Sequence, residues 1–347
     1  MATAFLPLSP RVRWCVRIFF LLALVVATVW ILRRSADPPM QQSDGPIFGT
    51  AYSVKYKYRR NLDREILREL QRVDESLSMF NPGSVISRIN RNETDEADTL
   101  LCDVFRRAMQ VSAVTAGAFD ITVAPLVNLW GFGFKEGRDP TAAQVDSVRP
   151  FVGYDKVRLE NGRIRKADAR LMLDCGAIAK GYAVDQVARM LSRLGICDYL
   201  VEIGGEVAAK GVNAEGLLWA VGVQKPPADG TEPLQQELQT VLRLSGEALA
   251  TSGNYHNFYY RKDGRRVAHT IDPRTGFPVE HTLLSASVLA QECATADAFA
   301  TAFMVVGLEG AQEILFRRPD LQAFLVYSDG SALKVWRSPG LERLEAR

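Results

Sequence analysis

Histidine is scarce in this chain: 347 residues carry only 3, at positions 256, 269 and 281. All three fall in one neighbourhood, beside the hard oxygen donors Asp272, Asp297 and Thr301, which points to a chemical site more than to a core. His269 is not paired at zinc-site spacing. Cysteine is little used as well. Cys15 precedes an apolar run near the N-terminus, the wrong side for lipoprotein acylation. Cys102, Cys175, Cys197 and Cys293 are too irregularly spaced for a zinc pattern or a small disulfide scaffold. A basic excess is missing from the body of the chain. Arg11, Arg13, Arg17, Arg33 and Arg34 are the only charged side chains before Asp37; subtracting these five from 42 Lys and Arg leaves 37, against 40 Asp and Glu. A near-neutral body lacks the basic stripe of a nucleic-acid binder. Residues 47–340 also show no internal repeat, low-complexity tract or composition break, so one unit is the simplest organisation.

A long charge-free stretch is present once, from Ile18 to Leu32, and counted from Trp14 it is interrupted only by Arg17. That approaches the roughly 17–20 residues of a membrane span, with Arg17 able to snorkel. A cleaved signal peptide is the alternative, but Arg33 and Arg34 follow in place of a small-x-small cleavage site. The sequence therefore divides into a cytoplasmic N-terminus and anchor (1–34), a polar, Pro-rich tether (35–46), a catalytic domain (47–340) and a short tail (341–347).

Within the domain, alternation of Tyr52, Val54 and Tyr56 predicts a strand. Leu62, Ile66, Leu70, Val73 and Leu77 recur at helical spacing, and further helices are expected over 100–115, after Gly176 up to Gly195, and over 294–306 and 308–316. Strands are expected over 199–203, 207–212, 218–224, 238–244, 284–289, 323–327 and 333–336, many bounded by Gly or Pro turns. Runs of strands with interspersed helices predict an α+β fold with a mainly antiparallel sheet.

Several segments can carry chemistry. Asp297 and Thr301 are spaced i, i+4 and share a helix face, offering hard oxygen donors suited to Mg²⁺; a surface Asp and a back-bonded Thr give the same spacing. Leu173 to Tyr182 reads as strand end, glycine turn and helix start, a place for phosphate with Lys180 as a cation, or an ordinary connection capped by Asp174. It is neither a Walker loop nor a dinucleotide fingerprint. Gly117-Ala118-Phe119-Asp120 sets an aromatic beside an acid. Glu202-Ile203-Gly204-Gly205-Glu206 is a close-approach site or a hairpin turn, and Ser252-Gly253-Asn254-Tyr255 reads as a loop. His269, before the turn Ile271-Asp272-Pro273-Arg274-Thr275-Gly276, suits a general base, a phosphate contact or a structural donor.

Taken together these blocks resemble the ApbE-type FAD:protein FMN transferases. FGTAYSV, GAFDITVAPLVNLWGFG, LDCGAIAKGYAVD, VEIGGEVAAKG with WAVGVQKP, and ATSGNYHNFY through HTIDPRTGFP to ATADAFATAF occur in the family's order. The resemblance implies a T-fold-like architecture and the transfer of FMN from FAD to a Thr or Ser of a target protein, with release of AMP and dependence on Mg²⁺. By position it implies metal ligation by the Ala177 carbonyl, Asp297 and Thr301. It puts Phe48, Phe80, Ala118, Phe119, Asp120, Asp174, Lys180 and Ile271 around FAD, and makes His269 the base. Phe48 and Phe80 stand where Met and Tyr are common. The family further implies an extracytoplasmic domain anchored in the bacterial inner membrane, and a membrane electron-transfer subunit as acceptor. An FAD pyrophosphatase and a non-catalytic, membrane-tethered flavin-binding protein are the competing readings.

Overall fold

The computed structural model describes residues 10–35, 37–133, 139–226, 238–254, 258–260, 266–330 and 332–345. The first helix, α1, spans Pro10–Ser35. Strands β1 (Met40–Ile47) and β2 (Thr50–Lys57) follow, then α2 (Asp63–Leu77), α3 (Val85–Asn90), α4 (Thr99–Val114), α5 (Ala124–Trp130) and α6 (Ala142–Val148). A hairpin of β3 (Val157–Glu160) and β4 (Arg163–Lys166) precedes α7 (Ala179–Arg193). Next come β5 (Tyr199–Ile203), β6 (Glu206–Lys210), β7 (Trp219–Gln224), β8 (Leu238–Leu244), β9 (Ala248–Gly253), β10 (Phe258–Tyr260), β11 (Arg266–Ala268) and β12 (Leu283–Ala290). They are followed by α8 (Cys293–Arg317), β13 (Gln322–Ser328) and β14 (Leu333–Arg337).

The chain divides into Met1–Met40 and Gln41–Arg347. In the first unit α1 is one 26-residue helix, and every residue from Val16 to Thr28 is exposed. A helix apolar around its whole circumference and open to its surroundings is built for a lipid environment or for a signal sequence. Among the described residues the helix long and apolar enough to cross a membrane is α8, but 56% of its apolar window is buried, as expected of a core helix.

The second unit is built on an eight-stranded sheet in the order β1-β2-β5-β6-β9-β12-β13-β14. Neighbours from β2 to β14 run antiparallel, giving the α+β architecture expected from the turn-bounded strands. Tyr52, Val54 and Tyr56 of β2 point inward, while β12 is buried along both faces. Against this sheet lie α7 and α8, with α2 and α4 packed on them. The alanine-rich first half of α8 is buried all round, which lets it lie close to its neighbours. Its two halves are broken at Gly307 (φ 75°, ψ −173°), and the His281 Nε2–H donates to the Met304 carbonyl at 2.8 Å there. His281 is thus a structural staple of the helix break.

Two expectations change. The supposed tether is strand from Met40 onward, because β1 takes the edge position beside β2. Ser252 and Gly253 end a central strand instead of lying in a loop, and Asn254 is the turn beyond it; Tyr255 and His256 lie outside the described residues.

Candidate active site

A cavity of about 1000 Å³ opens where the start of α7, the middle of α8 and the β5–β6 turn converge. Its floor depends on how closely α7 and α8 approach. A Cβ on Gly181 would sit 2.4 Å from the Cys293 carbonyl oxygen and 2.8 Å from Asp297 Cβ, so only glycine permits this approach. The contact brings the Gly181 N–H to Asp297 Oδ2 at 3.0 Å. The residue before α7, Ile178, makes no side-chain cap, so Asp297 serves that helix end from another element. Asp174, expected as the cap, instead accepts from Gly176 N–H at 2.7 Å in the loop ahead of the helix.

The service is returned. Asp185 on α7 accepts from the Cys293 and Ala294 N–H groups at 2.8 and 3.0 Å, satisfying the start of α8, whose own preceding residue Glu292 gives no cap. Burial pushes the Asp185 carboxyl up to about 6, against the pull of these N–H groups. A folded-state pKa above the ordinary 3.8 stabilises the fold below that value, and the contribution is lost as pH rises through about 6. Urea unfolding is therefore expected to show stability falling across this window, and Asp185→Asn should flatten that part of the profile. Asp185→Ala, which orphans two N–H groups, should cost about 1–3 kcal/mol throughout. An unchanged profile in the Asn variant assigns the dependence to another group.

The floor carries opposed charges. Lys180 Nζ lies 2.5 Å from Glu206 Oε1, and Glu206 is only 2% exposed. Burial and the Asp297 charge push the Glu206 carboxyl up to about 8, while the Lys180 ammonium pulls it down. Burial likewise raises Asp297, opposed by Lys180 and the Gly181 N–H. Burial opposes the Lys180 charge, yet Asp297 and Glu206 outweigh it and raise that pKa. One helical turn beyond Asp297, the Thr301 hydroxyl meets Ser252 Oγ at 3.1 Å. Asp297, Thr301 and Ala177 line one cavity. Among the described residues no group of three or more His, Cys, Asp or Glu is disposed to hold a metal ion. A hard-cation site here would draw on one carboxylate, one hydroxyl and one carbonyl, a set such a cluster does not represent.

One wall is apolar. Gly117, at φ 78°, turns the chain out of α4, and Thr115 Oγ1 accepts from the Phe119 N–H at 3.1 Å. Phe119, Ile121, Val127, Phe132 and Ile271 line this side. Asp120 also lines it, but its Oδ1 accepts from both the Thr122 N–H and hydroxyl at 2.7 Å, so one oxygen is engaged locally. Asp174 donates its backbone N–H to Ile121 O at 2.6 Å, tying wall to floor.

His269 stands at the cavity edge, its ring 6.3 Å from Phe132 in an edge-on arrangement. The turn after it is held by other groups: Gly276 N–H to Asp272 O at 2.8 Å, Trp130 Nε1–H to Gly276 O at 2.8 Å, and Asp272 paired with Arg274 at 2.8 Å. Gly204 and Gly205, at φ 60° and 98°, form the β5–β6 hairpin turn and line the cavity.

Two residues expected near FAD lie off the cavity lining. Phe48 takes the positive-φ position (51°) of the β1–β2 turn and packs on the core, while its neighbours Thr50 and Ala51 reach the cavity. Phe80 is 79% exposed on the α2–α3 loop and does not line it. The structure adds Glu206, Ser252, Gly181 and Asp185. Glu206 left one trace in the sequence: an acid directly after a glycine turn, followed in its strand by the small apolar residues Val207, Ala208 and Ala209.

A sequence model of the ApbE family matches residues 48–325. The FAD:protein FMN transferase of Vibrio cholerae is 37% identical over 299 residues, covering 82% of this chain and 88% of that protein. Its counterpart in Salmonella typhimurium is 35% identical over 319 residues, covering 88% and 89%. The solved flavin transferase ApbE from Vibrio cholerae superposes with a TM-score of 0.79 at 34% identity, over 88% of this chain and 100% of that one. The apo form of the Pseudomonas stutzeri flavinyl transferase ApbE gives 0.79 at 32% identity, over 89% and 98%.

Proposed function

The chain belongs to the ApbE family and is a flavin transferase; from that premise we propose that it moves FMN from FAD to a Thr or Ser hydroxyl of an acceptor protein, with Mg²⁺, and releases AMP. The observation that supports this reading best is the single cavity joining an aromatic wall to a floor of buried oxygen donors and an ammonium. A dinucleotide with a flat ring at one end and an anionic pyrophosphate in its middle matches that division.

Asp297, Thr301 and the Ala177 carbonyl would hold the magnesium ion. When bound, it supplies neutralisation of charge developing on the phosphates. Lys180 adds a cation to the phosphate side, and the positive end of the α7 dipole favours the same charge. Phe119 and Ile271 pack a ring of FAD. His269 accepts the proton of the acceptor hydroxyl as its oxygen bonds to the FMN-side phosphorus. The bond from that phosphorus to the bridging oxygen breaks, and AMP leaves with the electron pair. Positioning supplies much of the rate, since no covalent enzyme intermediate is required.

Incubating the protein with FAD, Mg²⁺ and a candidate acceptor tests the proposal. The expected result is an acceptor heavier by one FMN and an equal amount of AMP. FMN and AMP released with an unmodified acceptor mean that water is the acceptor and the enzyme is an FAD pyrophosphatase.

We further propose that α1 is an uncleaved anchor in the bacterial inner membrane, with the catalytic domain on the periplasmic side and a membrane electron-transfer subunit as acceptor. Deleting residues 1–36 should give a soluble protein that retains transfer, and the full chain should fractionate with membranes. A mature chain beginning after residue 28 means that the segment is a cleaved signal.

A further inference from the structure

Glu206 is the buried group to which the proposed reaction gives no role. It opens β6 at the cavity floor, 2% exposed. Its Oε1 holds Lys180 Nζ at 2.5 Å, while Oε2 has no hydrogen-bond partner. Asp297 is near enough for its charge to act on both groups. The ammonium nevertheless pairs with Glu206, and the partner of Asp297 is the Gly181 N–H.

This choice of partner has a consequence. Lysine carries its charge on a flexible four-carbon stem, and the half-buried Lys180 ammonium at the cavity floor is drawn to whichever carboxylate it can reach. Without Glu206, the other carboxylate at hand is Asp297. An ion pair there would take the oxygen that a divalent cation needs in direct coordination. We propose that Glu206 is a positioning residue: it holds Lys180 off Asp297, so that Asp297 stays open to a divalent cation while the ammonium faces the cavity. The inference rests on the proposed cation site at Asp297.

The test measures Mn²⁺ binding to the full chain in detergent by electron paramagnetic resonance, with and without FAD. Glu206→Gln should weaken binding about 10–100-fold, the usual cost of removing a group that supports a metal ligand. Glu206→Asp keeps the charge but is one methylene too short to grip Lys180, and should weaken binding comparably. Adding Lys180→Met to Glu206→Gln removes the competing ammonium and should recover most of the loss. Without FAD, so that the phosphate contact of Lys180 plays no part, Lys180→Met alone should bind Mn²⁺ at least as tightly as the unaltered chain, which a misfolded variant would not do. The inference is overturned if Glu206→Asp binds as the unaltered chain does, because charge alone then suffices. It is also overturned if the double variant stays as weak as Glu206→Gln. A different failure is an Asp297→Asn variant that binds Mn²⁺ normally, or an unaltered chain that binds none: either removes the cation site itself.

Discussion

Asp297→Asn is expected to lower FMN transfer by about 10³-fold or more while the protein keeps its fold. The size follows from losing the one buried carboxylate among the proposed magnesium donors, since charge stabilisation of a phosphoryl transition state is worth several kcal/mol. The choice of Asn follows from the second task of this side chain. Asp297 Oδ2 accepts the Gly181 N–H at the start of α7, so an amide oxygen can replace it there but cannot replace the charge. Asp297→Ala removes both, and should be less stable than Asn by about 1 kcal/mol, the usual worth of a helix cap. AMP release and urea unfolding, measured on the two variants, separate the roles. An Asn variant within tenfold of the unaltered rate in excess Mg²⁺, or transfer that persists in EDTA, removes the metal assignment.

The double duty of Asp297 marks where reading the sequence runs out. The elements themselves are written locally. Ile66, Leu70 and Val73 repeat at helical spacing and are all buried in α2, and Tyr52, Val54 and Tyr56 alternate and point inward from β2. Even the break in α8 could be read, because Gly307 separates the two predicted halves and sits at φ 75°. Asp297 and Thr301, one turn apart on a helix, do face one cavity with the glycine turn before α7. What holds that cavity in shape spans long separations: the Gly181–Asp297 bond links residues 116 apart and the Asp185–Cys293 bond residues 108 apart. No local window weighs such pairs, so nothing in the sequence around Gly181 or Asp185 marks them out. Glu206 was hidden for a related reason. Its significance lies in Lys180, 26 positions away, and in burial, which composition does not report. Phe48 and Phe80 mark a further limit: the family pattern names them for FAD, but the sequence does not say how the backbone presents them. Phe48 is committed to a left-handed turn, and Phe80 stands on an outward loop.

His269→Ala is expected to reduce transfer by about 10²–10⁴-fold, the usual reach of general-base catalysis, with a smaller change in FAD affinity. A purely structural His would order the following turn through Asp272, but that carboxylate is already taken by the Arg274 N–H and guanidinium, and Trp130 holds the Gly276 carbonyl. The turn therefore has its own supports, and truncating His269 should leave it standing. The contrasting variant belongs on the apolar wall. Phe119 is 2% exposed, so alanine there would add a cavity costing about 3–5 kcal/mol, whereas Phe119→Leu keeps much of the packing and loses the ring. It should raise the FAD concentration needed for half-maximal transfer more than it lowers the maximal rate. Imidazole added to His269→Ala should restore part of that rate, since a small base can enter the space left by the ring, and it should do nothing for Phe119→Leu. A His269→Ala enzyme that transfers FMN at the unaltered rate has another base. One that loses binding and rate in equal measure, with no response to imidazole, places His269 among the ligand contacts and leaves the proton to a carboxylate of the floor.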